Sequence, residues 1–141
     1  MIRADDAASA LAAATRAQKI SGGGRLLVEQ YIAGTEVAVE GLLRSGTLEV
    51  LAVFDKPDPM EGPYFEETIY VTPSRLGASI LEEIERTTAE ACAAIGLTEG
   101  PVHAELRVDG ERAWIIEVAA RSIGGLCARA LQFGAGISLE E

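Results

Sequence analysis

The chain has 141 residues, of which 48% are apolar and 15 are glycine, so it is long and apolar enough to form one domain with a core. Its 22 acidic residues outnumber its 12 basic ones, and the resulting net charge of -10 disfavours nucleic-acid binding, which needs a basic surface. Since we find neither a signal peptide nor an apolar run of roughly 18 residues, we expect a cytoplasmic protein without membrane contacts.

The first predicted element is a helix over residues 5–19, where alanine is abundant, acidic residues come first and Lys19 comes last. The Ser-Gly-Gly-Gly run at 21–24 ends it. A phosphate-binding glycine loop leads into a helix, whereas residues 25–28 predict a strand. We therefore interpret the glycine run as a flexible connector.

Three further β segments are predicted at residues 36–43, 47–54 and 64–71, from alternating apolar positions and β-branched residues. Arg-Ser-Gly at 44–46 forms the turn between the first two. A loop with prolines over 56–62 precedes the third. These segments favour an antiparallel sheet.

The second half of the chain predicts a helix over residues 74–95, because its apolar residues recur at helical spacing. A hairpin follows, with strands at 102–108 and 112–119, and then a helix over 123–133. Residues 138–141 predict the first turn of another helix. Together these elements predict an α+β fold, an antiparallel β-sheet flanked by helices. Cys92 and Cys127 fall in the helical stretches, and we interpret both as reduced packing residues.

The hairpin carries the most informative pattern, because the even-numbered residues of both its strands are apolar. If both sets face the core, an even-numbered residue of one strand must lie opposite an even-numbered residue of the other, so the numbers of paired residues have an even sum. A three-residue turn at 109–111 gives this pairing. Glu105 and Glu117 then become diagonal neighbours on the opposite face, about 7 Å apart at their β-carbons. On that face His103 lies opposite Glu117, and Arg121 emerges just past the strand.

Two carboxylates at this spacing can hold magnesium, which prefers oxygen ligands and leaves coordination positions for water and phosphate. An equally simple interpretation is a solvated polar face, in which Glu105 and Glu117 pair with Arg107 and Arg121. Paired carboxylates also serve as general acid and base, although this stretch offers no nearby nucleophile. The residues alone leave these alternatives open.

Three blocks of the sequence lie between residues 29 and 121. They are Glu29-Gln30-Tyr31-Ile32 with Gly34, Glu36 and Val37, then His103-Ala104-Glu105-Leu106, and finally Ile116-Glu117-Val118-Ala119-Ala120-Arg121. In this order they resemble motifs of the ATP-grasp superfamily. The first block resembles the hinge, an acidic-x-aromatic-aliphatic step followed by a second glutamate, and the other two resemble the metal-binding pair of strands.

By this resemblance the backbone of Gln30, Tyr31 and Ile32 would bind the adenine edge of ATP, with Glu29 at the hinge. A further glutamate, Glu36, would accept hydrogen bonds from the ribose hydroxyls. Lys56 would either contact phosphate or substrate or be a solvated loop lysine. It precedes a Gly-Pro-Tyr-Phe stretch at 62–65 that resembles one in amino-acid ligases of this superfamily.

The same resemblance assigns Glu105 and Glu117 to Mg²⁺, for which Mn²⁺ could substitute. Arg121 would stabilise the transferring phosphate or hold the substrate carboxylate, since a guanidinium suits both tasks. His103 would contact the substrate or a metal ligand, or else make a structural hydrogen bond. Ala119 stands where many family members have a metal-binding asparagine, which leaves a second magnesium site open.

The resemblance implies a partial ATP-grasp fold, with residues 1–33 as the remainder of the small ATP lobe and 34–141 as the large lobe with the metal site. The lysine-bearing strands and glycine-rich loop of the family have no counterpart before residue 25. We therefore expect an incomplete fragment that is inactive by itself.

The expected function is an ATP- and Mg²⁺-dependent ligase that activates a small carboxylate as an acyl phosphate for attack by an amine. Its expected partners are ATP and these two substrates, without nucleic acid or membrane, and a homodimer is left open. Two alternatives remain, a non-catalytic module with ATP-grasp architecture that acts through protein contacts, and an unrelated α+β binding domain.

Overall fold

The computed structural model describes residues 1–59, 68–134 and 136–139. Its principal elements are α1 (Ala7–Ile20), β1 (Thr35–Arg44), β2 (Thr47–Lys56), α2 (Ala78–Ala94), β3 (Gly100–Asp109), β4 (Arg112–Ala119) and α3 (Gly125–Ala130). Two short strands follow, β5 (Gln132–Phe133) and β6 (Ile137–Ser138), which pair with each other. The predicted α+β class is confirmed.

The four long strands form one antiparallel sheet in the order β2-β1-β3-β4, so β1 and β3 are its central strands. A turn joins β1 to β2 where the sequence predicts one, but it has two residues, because Arg44 belongs to β1. Ser45 and Gly46 both have positive φ, 49° and 79°. This combination is typical of a type I′ turn, whose twist matches that of the paired strands.

One face of the sheet packs against α2 and forms the main core. Odd-numbered residues of β1 and even-numbered residues of β3 meet Ile80 and Ile84 there, and Ile84 is fully buried. Burial of each such side chain contributes about 1.5–3 kcal/mol. The sheet residues of this cluster are Val37, Val39, Ala104, Leu106 and Val108.

The opposite face is covered in part by α3 and the residues around it. Ala38 and Phe54 pack there against Ile123, Ala128 and Leu131. The even-numbered side chains of β1 share this face, and two of them are glutamates. The second face is therefore partly apolar and partly charged.

The N-terminal helix α1 begins with a capping box, in which the Asp6 carboxylate accepts from the Ser9 amide and the Ser9 hydroxyl accepts from the Asp6 amide. None of its residues is buried. The predicted strand at 25–28 is wrong, because these residues lie outside the sheet and Leu27 and Val28 are more than 80% exposed. Within the described ranges, no helix is long and apolar enough to cross a membrane.

Most other boundaries differ by a few residues. The helix predicted from residue 74 begins at Ala78. Before it, the Ser74 hydroxyl and the Arg75 amide donate to the Asp55 carboxylate, and the amide of residue 76 donates to the Ser74 hydroxyl. Of the predicted strand 64–71, residues 64–67 lie outside the described residues, and Val71 makes an isolated bridge to Asp55. Ser138 belongs to β6, so the helical turn predicted to begin there is wrong.

The predicted register of the second hairpin is wrong, although Glu105 and Glu117 do lie on one face: they pair directly rather than diagonally, and His103 lies opposite Ala119 instead of Glu117. The turn has two residues and pairs Asp109 with Arg112, so the numbers of paired residues next to the turn have odd sums. A β-bulge at Ile116 then inserts one residue into β4, so Glu105 lies directly opposite Glu117. Because of the shorter turn, Ala113 pairs with Val108 and faces the core in place of Trp114.

Candidate functional site

The candidate site is a row of charged side chains on the second face of the sheet. Direct pairing of β1 with β3 puts Glu36 opposite Arg107 and Glu40 opposite His103. All four of these side chains are buried. Buried charges are stable only when paired and hydrogen-bonded, and the partners described below meet that need.

Lys56, the last residue of β2, forms ion pairs with a glutamate of β1 and a glutamate of β3. Its ammonium group lies 2.9 Å from Oε1 of Glu36 and 2.8 Å from Oε1 of Glu105. The side chain is 3% exposed, so the interpretation of Lys56 as a solvated loop lysine is wrong. Lys56 neutralises charge on both carboxylates and fixes their separation.

Arg107 connects the sheet to the segment before β1. Its guanidinium donates to Oε2 of Glu36 from Nε at 3.2 Å, while Nη1 donates to the Tyr31 hydroxyl at 2.9 Å and to the Ile32 carbonyl at 3.1 Å. The Tyr31 ring also lies against two guanidiniums, with Arg107 at 5.1 Å and Arg3 at 4.2 Å from its centroid. A solvated polar face is therefore the wrong interpretation for Arg107, which is 4% exposed.

His103 lies between two carboxylates. Its Nδ1 hydrogen-bonds to Oε1 of Glu40, and its Nε2 lies 3.7 Å from Oε1 of Glu105. Burial acts to lower the pKa of the imidazole, but the carboxylates of Glu105 and Glu40 outweigh burial and raise this pKa to about 9. A pKa near this value leaves His103 cationic at neutral pH, with its Nδ1–H donating to Glu40 and its Nε2 in ion-pair contact with Glu105.

Sequence reasoning missed Glu40, which is 1% exposed. Its second oxygen, Oε2, accepts a hydrogen bond of 2.9 Å from the backbone amide of Ile123, just before α3. The available signal was the period of two along β1, since Glu40 follows Glu36 by four residues in an otherwise apolar strand. That period places both glutamates on one face.

The structure brings Glu105 and Glu117 together as direct cross-strand partners. Glu105 is 19% exposed and Glu117 is exposed, so solvent reaches the pair. Within the described ranges, no group of three or more His, Cys, Asp and Glu side chains is placed to hold a metal ion. The pair still fits magnesium, which is commonly held by one or two carboxylates together with substrate phosphate and water.

Arg121, in contrast, is exposed and donates from Nη1 to the Ser122 carbonyl at 3.0 Å. It follows β4 by two residues, as predicted, on the turn that leads to α3. The Gly-Pro-Tyr-Phe stretch at 62–65 lies outside the described residues.

A pocket of about 470 Å³ opens beside this row of charges. Its volume is within the range of small-molecule sites. It includes three of the residues predicted to contact nucleotide or phosphate, Tyr31, Glu36 and Lys56. The predicted hinge residues Glu29 and Gln30 are exposed next to it in sequence. The remaining lining is Ala33, Gly34, Thr35, Pro57, Asp58, Pro59, Val108, Asp109 and Gly110.

Comparison with known proteins gives a consistent family. The ATP-grasp domain family matches residues 3–130. An L-amino acid ligase from Bacillus licheniformis shares 32% identity with a TM-score of 0.76, over 85% of this chain and 31% of that one. A biotin carboxylase from Campylobacter jejuni, at 24% identity and TM-score 0.65 over 84% of this chain and 27% of its own, shows the same fold.

A D-alanine–D-alanine ligase from Bacillus anthracis, solved with ATP, has the fold as well, at 20% identity and TM-score 0.51 over 65% of this chain and 28% of its own. The chain therefore spans about a third of the length of the solved structures it matches. Among curated proteins, none matches. The predicted partial ATP-grasp fold is confirmed.

Proposed function

The chain belongs to the ATP-grasp domain family, and from that premise we propose that it is the ATP- and Mg²⁺-binding part of a ligase that joins a carboxylate to an amine. The observation that carries the proposal is the direct pairing of Glu105 with Glu117 beside the ammonium group of Lys56. This arrangement combines a two-carboxylate metal site with a cation at the edge of a nucleotide-sized pocket.

In the proposed complex the nucleotide occupies the pocket lined by Tyr31, Glu36 and Lys56. The backbone of residues 30–32, next to Glu29, binds the adenine edge, and Glu36 accepts from the ribose hydroxyls. The buried contacts of Glu36 with Lys56 and Arg107 support this role, because they fix the carboxylate before any ligand binds.

Glu105 and Glu117 hold magnesium in the proposal, and the ion supplies positive charge to the phosphate oxygens. Lys56 contributes a second positive charge next to the pocket. His103 adds a third positive charge, with its Nε2 atom 3.7 Å from Oε1 of Glu105. Such electrostatic stabilisation matters here because the chain has a net charge of -10 and otherwise repels a triphosphate.

The proposed reaction has two steps. A carboxylate oxygen attacks the γ-phosphorus of ATP, so that a new P–O bond forms, the bond to the bridging oxygen breaks and ADP leaves. The amine nitrogen then attacks the acyl carbon, inorganic phosphate leaves with the C–O electron pair, and the nitrogen loses a proton. Arg121 stabilises the departing phosphate or holds the substrate carboxylate, tasks that suit an exposed guanidinium.

Support for the amine as acceptor comes from the 32% identity to the L-amino acid ligase. The second argument is the Ala-Ala-Arg sequence after Glu117, which resembles that of ligases acting on amino acids.

The proposal is tested by calorimetric titration of a non-hydrolysable ATP analogue with and without Mg²⁺. We expect Mg²⁺ to tighten analogue binding to the wild type, and Glu117→Gln to remove most of this increase, about 10-fold or more. Glu111→Gln, in the exposed turn of the same hairpin, is the matched control and should behave as the wild type. Identical Mg²⁺ dependence of Glu117→Gln and wild type would exclude this metal site and favour a non-catalytic module.

A further inference from the structure

We propose that Glu40 is a positioning residue of the site, which holds His103 and the backbone turn after Arg121 in fixed places relative to the central strand. The proposal deepens the proposed function and rests on it. Neither the family comparison nor the sequence pattern assigns a task to this glutamate.

The first argument is the environment of the Glu40 carboxylate, which is buried in the middle of the sheet with a side chain that is 1% exposed. A carboxylate in this position is costly unless its oxygens are hydrogen-bonded. Oε1 is hydrogen-bonded to Nδ1 of His103, and Oε2 accepts a hydrogen bond from the amide of Ile123. One side chain thus binds two parts of the chain that are 20 residues apart.

The second argument is what these two parts carry. His103 lies in β3, and its Nε2 lies 3.7 Å from the proposed metal ligand Glu105. Ile123 follows Arg121 by two residues and immediately precedes Gly124, the residue before α3. Its side chain is 7% exposed and packs with Ala38 of β1. Glu40 therefore connects the metal side of the site to the turn that carries the proposed phosphate-stabilising arginine.

The third argument concerns the choice of a carboxylate. Both donors, the imidazole Nδ1–H and the Ile123 N–H, need an acceptor at the same time. A carboxylate provides one acceptor oxygen for each of them. Methionine has a similar length but no oxygen, so Glu40→Met removes both acceptors, whereas an exposed glutamate could be replaced without consequence.

The test begins with the wild-type chain and amide hydrogen exchange measured by NMR. We expect the Ile123 amide to be protected about 100-fold or more relative to exposed loop amides, because it is hydrogen-bonded and buried. An unprotected Ile123 amide would overturn the proposal without any variant, which matters if substitution of Glu40 prevents folding.

The variant Glu40→Met is then compared with Glu49→Met, which replaces an exposed glutamate on β2. We expect Glu40→Met to raise the exchange rate of the Ile123 amide about 10-fold or more and leave the amides of Val39 and Ala104 unchanged, while Glu49→Met leaves all of them unchanged. Unchanged exchange at Ile123 in a folded Glu40→Met chain would overturn the proposal.

A second measurement separates positioning from a merely structural contact. In the calorimetric titration, Glu40→Met should reduce the Mg²⁺-dependent part of ATP-analogue binding several-fold and leave the Mg²⁺-independent part unchanged. Equal loss of both parts would contradict a positioning role. If the wild type binds no analogue, the proposed ligase function fails, and the exchange rates still decide whether Glu40 holds the turn.

Discussion

The Nζ atom of Lys56 lies 2.8 Å from Oε1 of Glu105, so the carboxylate assigned to the metal already has a cationic partner. That partner is 3% exposed and also contacts Glu36. A divalent ion at Glu105 and Glu117 must therefore share one carboxylate with an ammonium group. Like charges this close repel, and their repulsion lowers the affinity of the carboxylates for a metal ion.

The variant Lys56→Met separates the two effects of this lysine. We expect it to tighten Mn²⁺ binding measured without nucleotide by about 3-fold or more, since the competing charge is gone. We expect it to weaken ATP-analogue binding in the same preparation, since the pocket loses its cation. Electron paramagnetic resonance for Mn²⁺ and calorimetry for the analogue give the two affinities.

Lys19→Met, in the last turn of α1, removes the same charge from an exposed position and should change neither affinity. Parallel weakening of Mn²⁺ and analogue binding in Lys56→Met would contradict the competition between lysine and metal.

Arg107 is predicted to hold the segment before β1 in the conformation that the pocket requires. Arg107→Lys keeps the charge, but its single nitrogen cannot occupy the separate positions from which Nε and Nη1 donate to Glu36, the Tyr31 hydroxyl and the Ile32 carbonyl. We expect a loss of about 1.5–3 kcal/mol in the free energy of unfolding, measured in urea, and weaker ATP-analogue binding. Tyr31→Phe removes one of these contacts and should cost about 1 kcal/mol or less.

Gly34 approaches the backbone of β3 too closely for any side chain. A β-carbon at this residue would lie 2.1 Å from the Val108 carbonyl oxygen, and its φ is 121°. We expect Gly34→Ala to destabilise the chain by about 2 kcal/mol or more and displace one wall of the pocket. Thermal unfolding and analogue titration measure the two effects.

The matched control is Gly100→Ala, because Gly100 also has a positive φ, 97°, but has open space where a β-carbon would be. The difference between the two variants isolates the clash from the backbone strain. Equal destabilisation would show that the approach to Val108 is unimportant.

The Asp55 carboxylate is predicted to make stability depend on pH in the acid range. Burial acts to raise its pKa, but hydrogen bonds from the Ser74 hydroxyl and from the amide and guanidinium of Arg75 outweigh burial and lower the pKa below its usual 3.8. Because the folded pKa lies below the unfolded one, the stabilisation is fully present above about pH 3.8 and is lost as pH falls through the folded value.

Asp55→Asn should therefore lower the free energy of unfolding by about 1–3 kcal/mol at pH 6. The difference from wild type should shrink as pH decreases below 3.8. Urea unfolding at several pH values measures this, and a difference that grows toward acid pH would contradict the assignment.

Much of the sheet could be predicted from sequence, because β1, β2, β3 and β4 are short segments rich in apolar and β-branched residues between turn residues. The helix α2 was predictable from the spacing of Ile80 and Ile84. The strand at 25–28 could not be judged, since Leu27 and Val28 have strand-like composition and strand formation depends on pairing that no local pattern contains.

For the candidate site, the pairing of Glu105 with Glu117 was predicted with the correct face and the wrong register. The prediction placed Glu117 opposite His103 and assumed a three-residue turn, whereas the structure has a two-residue turn and pairs Glu117 with Glu105. The bulge at Ile116 changes the pairing within the strand, and one sequence gives no signal for it. The ion pairs of Lys56 and Arg107 were unpredictable for another reason, since they join strands distant in sequence.

The bulge at Ile116 has a further consequence, because β4 is an outer strand of the four-stranded sheet. A regular outer strand offers evenly spaced amides and carbonyls to which a strand of another molecule can add, the first step of many aggregation processes. The inserted residue interrupts that spacing, and the exposed charge of Glu117 opposes addition of an apolar strand. The irregularity that places Glu105 opposite Glu117 thus also makes this outer strand a poorer template for the addition of another strand.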